Sequence, residues 1–317
     1  MRKKHIYFFL AVILLALTVY LVYRRDNGVL RKADIDFAPG PPERIHSIVI
    51  RHKGTSLVLS RKTSAWVINN SLDGNDKKIN GFITLVNDIR LLSPVSRSRH
   101  KAVDELLNTA GYNVIYKGMV GVIKSYTIVT DTSSGEHTYL KMKNKIFEIH
   151  IPGYKFFTEQ VFNCEPVFWR SNLLFNYSMS DLRMVQMDFP ANPGDSYRIL
   201  HDENNSVSLY DGYGIQLSKP DTFNIISYLQ LFNGIHFDRF ITDTSDCNLS
   251  FKNRWFVLTL VGRDADTMTI TAYRRITGQF TTDPDHLFLI IPSGEKVMMR
   301  YIAIDPLVKN KDWFRKP

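Results

Sequence analysis

The hydrophobic pattern changes character along the chain. Residues 6–23 (IYFFLAVILLALTVYLVY) carry no charge. As a helix this run would rise about 27 Å at about 1.5 Å per residue, close to the hydrocarbon thickness of a bilayer. Arg2, Lys3 and Lys4 precede it, Arg24 and Arg25 close it, and Tyr7, Tyr20 and Tyr23 sit near its ends, where amphipathic rings prefer the interface. The pattern predicts an uncleaved membrane anchor built on Ile6, Leu10, Ile13, Leu17 and Tyr23. A cleaved signal peptide fits less well, because its apolar region spans about 7–15 residues and an A-x-A site would follow. The run holds no glycine, hence no GxxxG dimerisation face. Basic residues nearly balance across the segment, so charge alone sets no orientation; a five-residue tail favours the tail inside and the bulk outside.

Residues 26–43 are polar and end in Pro39-Gly40-Pro41-Pro42, a composition expected to form a short, stiff, extended spacer. Beyond it the period shortens. Residues 46–51 (HSIVIR), 56–60 (SLVLS) and 65–68 (AWVI) read as strands separated by turns at Lys53-Gly54 and Asn69-Asn70-Ser71. Ile79, Phe82, Ile83, Val86, Ile89 and Leu92 then recur at helical spacing, with Asp76 as the expected cap and Pro94 as the stop. A short helix over 102–108 ends at Gly111, and strands follow over 114–116, 126–130, 137–142 and 145–151.

The second half repeats this order. Strands are expected over 182–189, 197–201 and 207–210, then a helix carrying Phe223, Ile226, Leu229 and Phe232. Shifted by 140 residues, those four fall on Ile83, Val86, Ile89 and Leu92. Further strands run over 255–261, 268–273, 287–291 and 297–302, and the two halves close with Phe168-Trp169-Arg170 and Trp313-Phe314-Arg315. The expected fold class is α+β: an N-terminal transmembrane helix, then two similar, mainly antiparallel sheet-plus-helix domains arising by internal duplication. The expected boundaries are 1–25 for tail and anchor, 26–43 for the linker, and 44–175 and 176–317 for the repeats.

The first repeat resembles an uncharacterised bacterial family of single-pass extracytoplasmic proteins, the domain of unknown function 4340. The resemblance is carried by Ile45-His46-Ser47-Ile48-Val49-Ile50, Leu57-Val58-Leu59-Ser60-Arg61 and Ala65-Trp66-Val67-Ile68 before a helix, and by the stretch from Ile151-Pro152-Gly153-Tyr154 through Phe168-Trp169-Arg170. It implies a single-pass protein of the inner membrane with its bulk in the periplasm, serving an ABC-type export or gliding-related system. It brings no catalytic residue with it.

Composition narrows the classes. The 317 residues are 44% hydrophobic and 22% charged, which suits a folded chain of about two domains and excludes a disordered or collagen-like one. The formal charge is +9, but five of the 40 Lys and Arg lie in residues 1–25, leaving 35 bases against 31 acids. That is no nucleic-acid footprint. The tail bases Lys309, Lys311, Arg315 and Lys316 read as a solvated end. HExxH, G-x-S-x-G, Walker A and GxGxxG are absent. Asp73-Gly74-Asn75-Asp76 lacks the ligand order of a calcium loop and reads as a turn with a helix cap. The S-x-x-K matches at Ser98 and Ser293 lack their companion motifs. The nine histidines, among them His46, His137, His150 and His286, show no metal spacing. No cofactor or metal is expected. Cys164 and Cys247 are candidates for a disulfide if the domain faces an oxidising compartment, with buried free thiols as the alternative. Trp169, Arg170, Trp313 and Arg315 are candidates for a partner interface or a domain seam.

These readings predict a non-enzymatic scaffold or accessory subunit of an envelope membrane complex, with the bilayer and a protein as partners. A glycan- or peptidoglycan-binding module, needing an exposed aromatic stripe, is the alternative, and a hydrolase without a readable motif is the third.

Overall fold

Alternating residues build the first sheet. Ile48 and Ile50 of β1 (Ser47–His52), Leu57 and Leu59 of β2 (Thr55–Lys62) and Trp66 and Ile68 of β3 (Ala65–Ile68) are buried on one face. The register sets Ile48 opposite Leu59 and Leu59 opposite Ile68, so the apolar side chains meet across strands. Lys53 and Gly54 adopt φ of +44° and +82°, the left-handed pair that a tight two-residue hairpin requires. After β4 (Leu72–Asp73) comes helix α1 (Asp76–Asn87), which lays Ile79, Phe82, Ile83 and Val86 on this face. Asn75, rather than the expected Asp76, is its cap: the Asn75 side chain accepts the Lys78 N–H at 3.0 Å. Strand β5 (Arg90–Pro94) and helix α2 (Arg97–Ala110) lead into the antiparallel run β6 (Tyr112–Gly118), β7 (Gly121–Asp131), β8 (His137–Met142) and β9 (Lys145–His150). The order is β4-β3-β2-β1-β6-β7-β8-β9-β5. Helix α2 covers the opposite face, with Val103 and Leu107 against Val129, Tyr139 and Ile146.

This computed structural model describes residues 12–18, 20, 32–133, 135–154, 161–243, 249–278 and 281–316. The chain divides into two units, Met1–Ser171 and Asn172–Pro317.

In the second unit, β10 (Leu173–Phe175) precedes β11 (Leu182–Asp188), β12 (Tyr197–His201), β13 (Val207–Asp211) and helix α3 (Thr222–Leu229). The short β14 (Ile235–His236) pairs with β10, and β15 (Arg239–Phe240) precedes the long strands β16 (Arg254–Gly262), β17 (Thr267–Thr277), β18 (Thr281–Ile290) and β19 (Lys296–Arg300). The sheet order β13-β12-β11-β16-β17-β18-β19-β15 repeats that of the first unit without the β4 edge.

The two helices align differently from the expectation. The α3 cap, Asp221, follows the α1 cap by 146 residues, and the same shift carries Ile79, Phe82, Ile83 and Val86 onto the buried Ile225, Tyr228, Leu229 and Phe232. The 140-residue alignment fails because a helical period admits several registers: Phe223 is exposed, and Leu92 is exposed in β5. The end of each unit reaches back to its helix start. The Asn75 N–H donates to the Trp169 carbonyl at 2.7 Å, and the Asp221 N–H donates to the Phe314 carbonyl at 2.8 Å. Trp169 therefore corresponds to Phe314, and Phe168 to Trp313.

The membrane-span expectation is corrected. The structure is mostly antiparallel sheet, and among the described residues no helix is long and apolar enough to cross a membrane. Ile13 and Leu17 lie in a described helical stretch over 12–18, while Ile6, Leu10 and Tyr23 lie outside the described residues. The signal anchor and the single-pass inner-membrane placement with its bulk in the periplasm fall with that span.

The proline-rich stretch does not stand free as a spacer. Phe37 is buried edge-on against Phe147, Asn87 exchanges two hydrogen bonds with the Gly40 backbone, and Asp34 and Asp36 pair with Lys145 and Lys124.

Candidate interaction surface

The four residues expected at an interface or seam divide sharply. Trp169 is 1% exposed, sits edge-on to Phe82 at 5.2 Å, and donates its indole N–H to the Asn163 carbonyl at 2.8 Å. It is a core residue, and Phe314 fills its place in the second unit against Tyr197 and Tyr228. Arg170 bridges to Gly74, and Arg315 to Pro220, through the backbone.

Trp313 is different. It is 37% exposed, packs one side against Phe314 at 5.0 Å, and lies 5.5 Å beneath the Lys309 ammonium. Its carbonyl accepts the Asn224 side-chain N–H at 3.1 Å, which ties it to the first turn of α3. The neighbouring residue Phe223 is 79% exposed. Arg315 is half exposed and makes a weak 3.6 Å pair with Asp312. The start of α3 and the end of the chain thus present two aromatic rings and two cations to solvent. At the matching place in the first unit, Lys77 stands where Phe223 does, and the Lys78 ammonium covers the Phe168 ring at 4.0 Å while donating to the Phe168 carbonyl at 2.8 Å. Burial there lowers the Lys78 pKa. Each unit thus sets a lysine over its closing aromatic, more closely in the first than in the second, and only the second adds an exposed ring at its helix start.

Other chemistry-bearing groups hold the sheets together. His137 Nδ1 lies 2.5 Å from Glu148 Oε1, and Ser93 Oγ donates to Glu148 Oε2 at 3.3 Å. Triad chemistry needs the imidazole between hydroxyl and carboxylate; here the carboxylate is in the middle. Asp283 is buried, accepts the Arg275 guanidinium at 2.6 Å and the N–H groups of Asp285 and His286, and has His286 Nδ1 at 3.8 Å. Burial pushes its pKa up, but those donors outweigh it and hold the carboxyl below the usual range. A depression of about 190 Å³ beside it is lined by Arg239, Thr242, Asp243, Arg275, Phe288 and Met298. Among the described residues no group of three His, Cys, Asp or Glu could hold a metal.

His201, which spacing did not single out, is a buried histidine satisfied by the Leu182 carbonyl and Asn205. His46 and His150 are exposed. Ser98 lies in the exposed first turn of α2 and Ser293 in the β18–β19 turn, where it donates to Glu295. Cys164 is a buried free thiol whose pKa burial raises; Cys247 lies outside the described residues.

Comparison of the chain with protein-family models, with curated proteins and with solved structures finds no match, so the resemblance drawn above rests on the sequence pattern alone.

Proposed function

We propose that this chain is a non-enzymatic docking module, a scaffold or accessory subunit that engages a protein partner through Phe223, Trp313, Lys309 and Arg315. The observation that carries the reading is the exposed aromatic pair of the second unit: Trp313, 37% exposed under the more distant Lys309, stands by a helix start that carries Phe223, 79% exposed, where the first unit has Lys77. Trp and Arg are the residue types that dominate protein–protein hot spots, and truncating one costs at least about 2 kcal/mol of binding. The glycan reading draws no support from the fully buried Trp66 and Trp169, and the hydrolase reading none from the carboxylate-centred Ser93–Glu148–His137 array.

A photocrosslinking residue at position 223 in the native host tests this, with one at Asp264 in the exposed β16–β17 turn as control. A discrete protein adduct from position 223, lost when Trp313→Ala is added and missing from the control, is expected. Indistinguishable labelling from the two positions would remove the basis of the reading.

A further inference from the structure

The first unit carries an apolar tip that its fold does not demand. Strands β6 and β7 end in the pair Gly118–Gly121, joined by Met119 and Val120. Met119 is 91% exposed, Val120 fully exposed, Val122 61% and Ile123 39%. The turn is tightly built: a Cβ on Gly118 would meet the Ile123 side chain at 3.2 Å and the Arg44 carbonyl at 3.4 Å, and Gly121 has φ of +135°. The matching β16–β17 turn of the second unit is Arg263-Asp264-Ala265-Asp266. This topology therefore accepts a polar turn, and the four aliphatic side chains are held in water without packing to justify them.

The antiparallel register rings this tip with positive charge. Ser47 pairs with both Ser60 and Lys117, which brings the start of β1 and the end of β2 to the base of the hairpin, with exposed Arg44 and Lys62. The β8–β9 turn adds exposed Lys143 at the same end of the sheet. Lys124 and Lys145 are there too, offset by Asp36 and Asp34. Arg44, Lys62, Lys117 and Lys143 are exposed as well, with one further exposed acid, Glu43, next to Arg44 in sequence.

We infer that the β6–β7 tip is a docking wedge for an anionic phospholipid surface. The aliphatic side chains enter the headgroup–acyl boundary while the basic rim meets the lipid phosphates. An aliphatic tip in a rim of six bases and three acids complements such a surface better than a protein site, where aromatic and arginine anchors dominate. This is contact by a turn, not a span. It involves the first unit and is independent of the aromatic surface on the second.

The apolar run at residues 6–23 could by itself bring the full chain to vesicles, so the readout must belong to the tip. Val120→Trp and the control Ala265→Trp are compared with wild type in full-length protein. Each is mixed with brominated phosphatidylcholine vesicles, with or without about one-third phosphatidylglycerol, enough to give the negative surface that attracts basic segments. Extra quenching from position 120 but not 265, stronger on anionic vesicles and reduced severalfold by Lys117→Glu with Lys143→Glu at unchanged melting temperature, is expected. No quenching beyond wild type at position 120 overturns the proposal, as does equal quenching on both vesicle types. So does a crosslink from position 120 to a protein in place of lipid.

Discussion

At the scale of single residues, environment rather than type decides what a side chain does. Asp283 is an acid with a depressed pKa, so its carboxylate stabilises the fold at pH values above its unfolded pKa of about 3.9, and that contribution is lost as pH falls through the folded value. Asp283→Asn is expected to cost roughly 1–3 kcal/mol at neutral pH, the price of leaving buried donors poorly satisfied. Chemical denaturation should show the deficit shrinking toward pH 3. A deficit independent of pH would assign the effect to shape instead of charge.

The two closing tryptophans make the same point about burial. Trp169→Ala should cost about 3–5 kcal/mol of stability, as large core truncations do. Trp313→Ala keeps Phe314 in the core and should cost under about 1.5 kcal/mol, since only part of its ring area is lost. Paired urea melts measure the difference.

At the scale of elements, helix ends are set by short-range chemistry. Asn75→Ala and Asp221→Ala each remove a side-chain cap and should cost about 1 kcal/mol. The end of α2 at Gly111 was legible from the glycine, but the reason is not the usual one. Its φ is −77°, which any residue adopts; a Cβ there would run into the Leu107 carbonyl and the Thr127 side chain. Gly111→Ala is therefore expected to destabilise by about 1–3 kcal/mol, as overpacking does, which thermal melts would show. A neutral outcome would mean that the helix end shifts to make room.

At the scale of the whole chain, the two units share a strand order but differ in the polar pairs they bury. The first holds a Tyr116–Tyr126 hydroxyl pair at 2.8 Å and the second a Tyr197–Tyr228 pair at 2.7 Å. The pairs occupy different places in the repeated topology, so each unit satisfied its buried phenols separately. Burial raises all four pKa values. Ultraviolet titration of the 15 tyrosines should leave these four silent until alkaline unfolding. Early ionisation of any one in folded protein would contradict this packing.

Local pattern determined much of this protein. Alternation in 46–51, 56–60 and 65–68 marked the first three strands, turn residues separated them, and 3.6-residue spacing marked both principal helices, because these signals depend on neighbours within a few positions. The repeat was visible for the same reason. Tertiary structure alone decided the helix alignment of 146 residues, since the Asn75 and Asp221 backbones are held by carbonyls roughly 90 residues away in sequence. That long-range bond also determines which ring of each triplet turns inward, and it separates Trp169 from Trp313. The long apolar run at 6–23 predicted a span that the described helices do not provide, and the spacer folded onto the first core because Phe37 found Phe147. The basic rim around Met119 and Val120 joins residues from four separate segments, and only the strand register brings them to one end of the sheet.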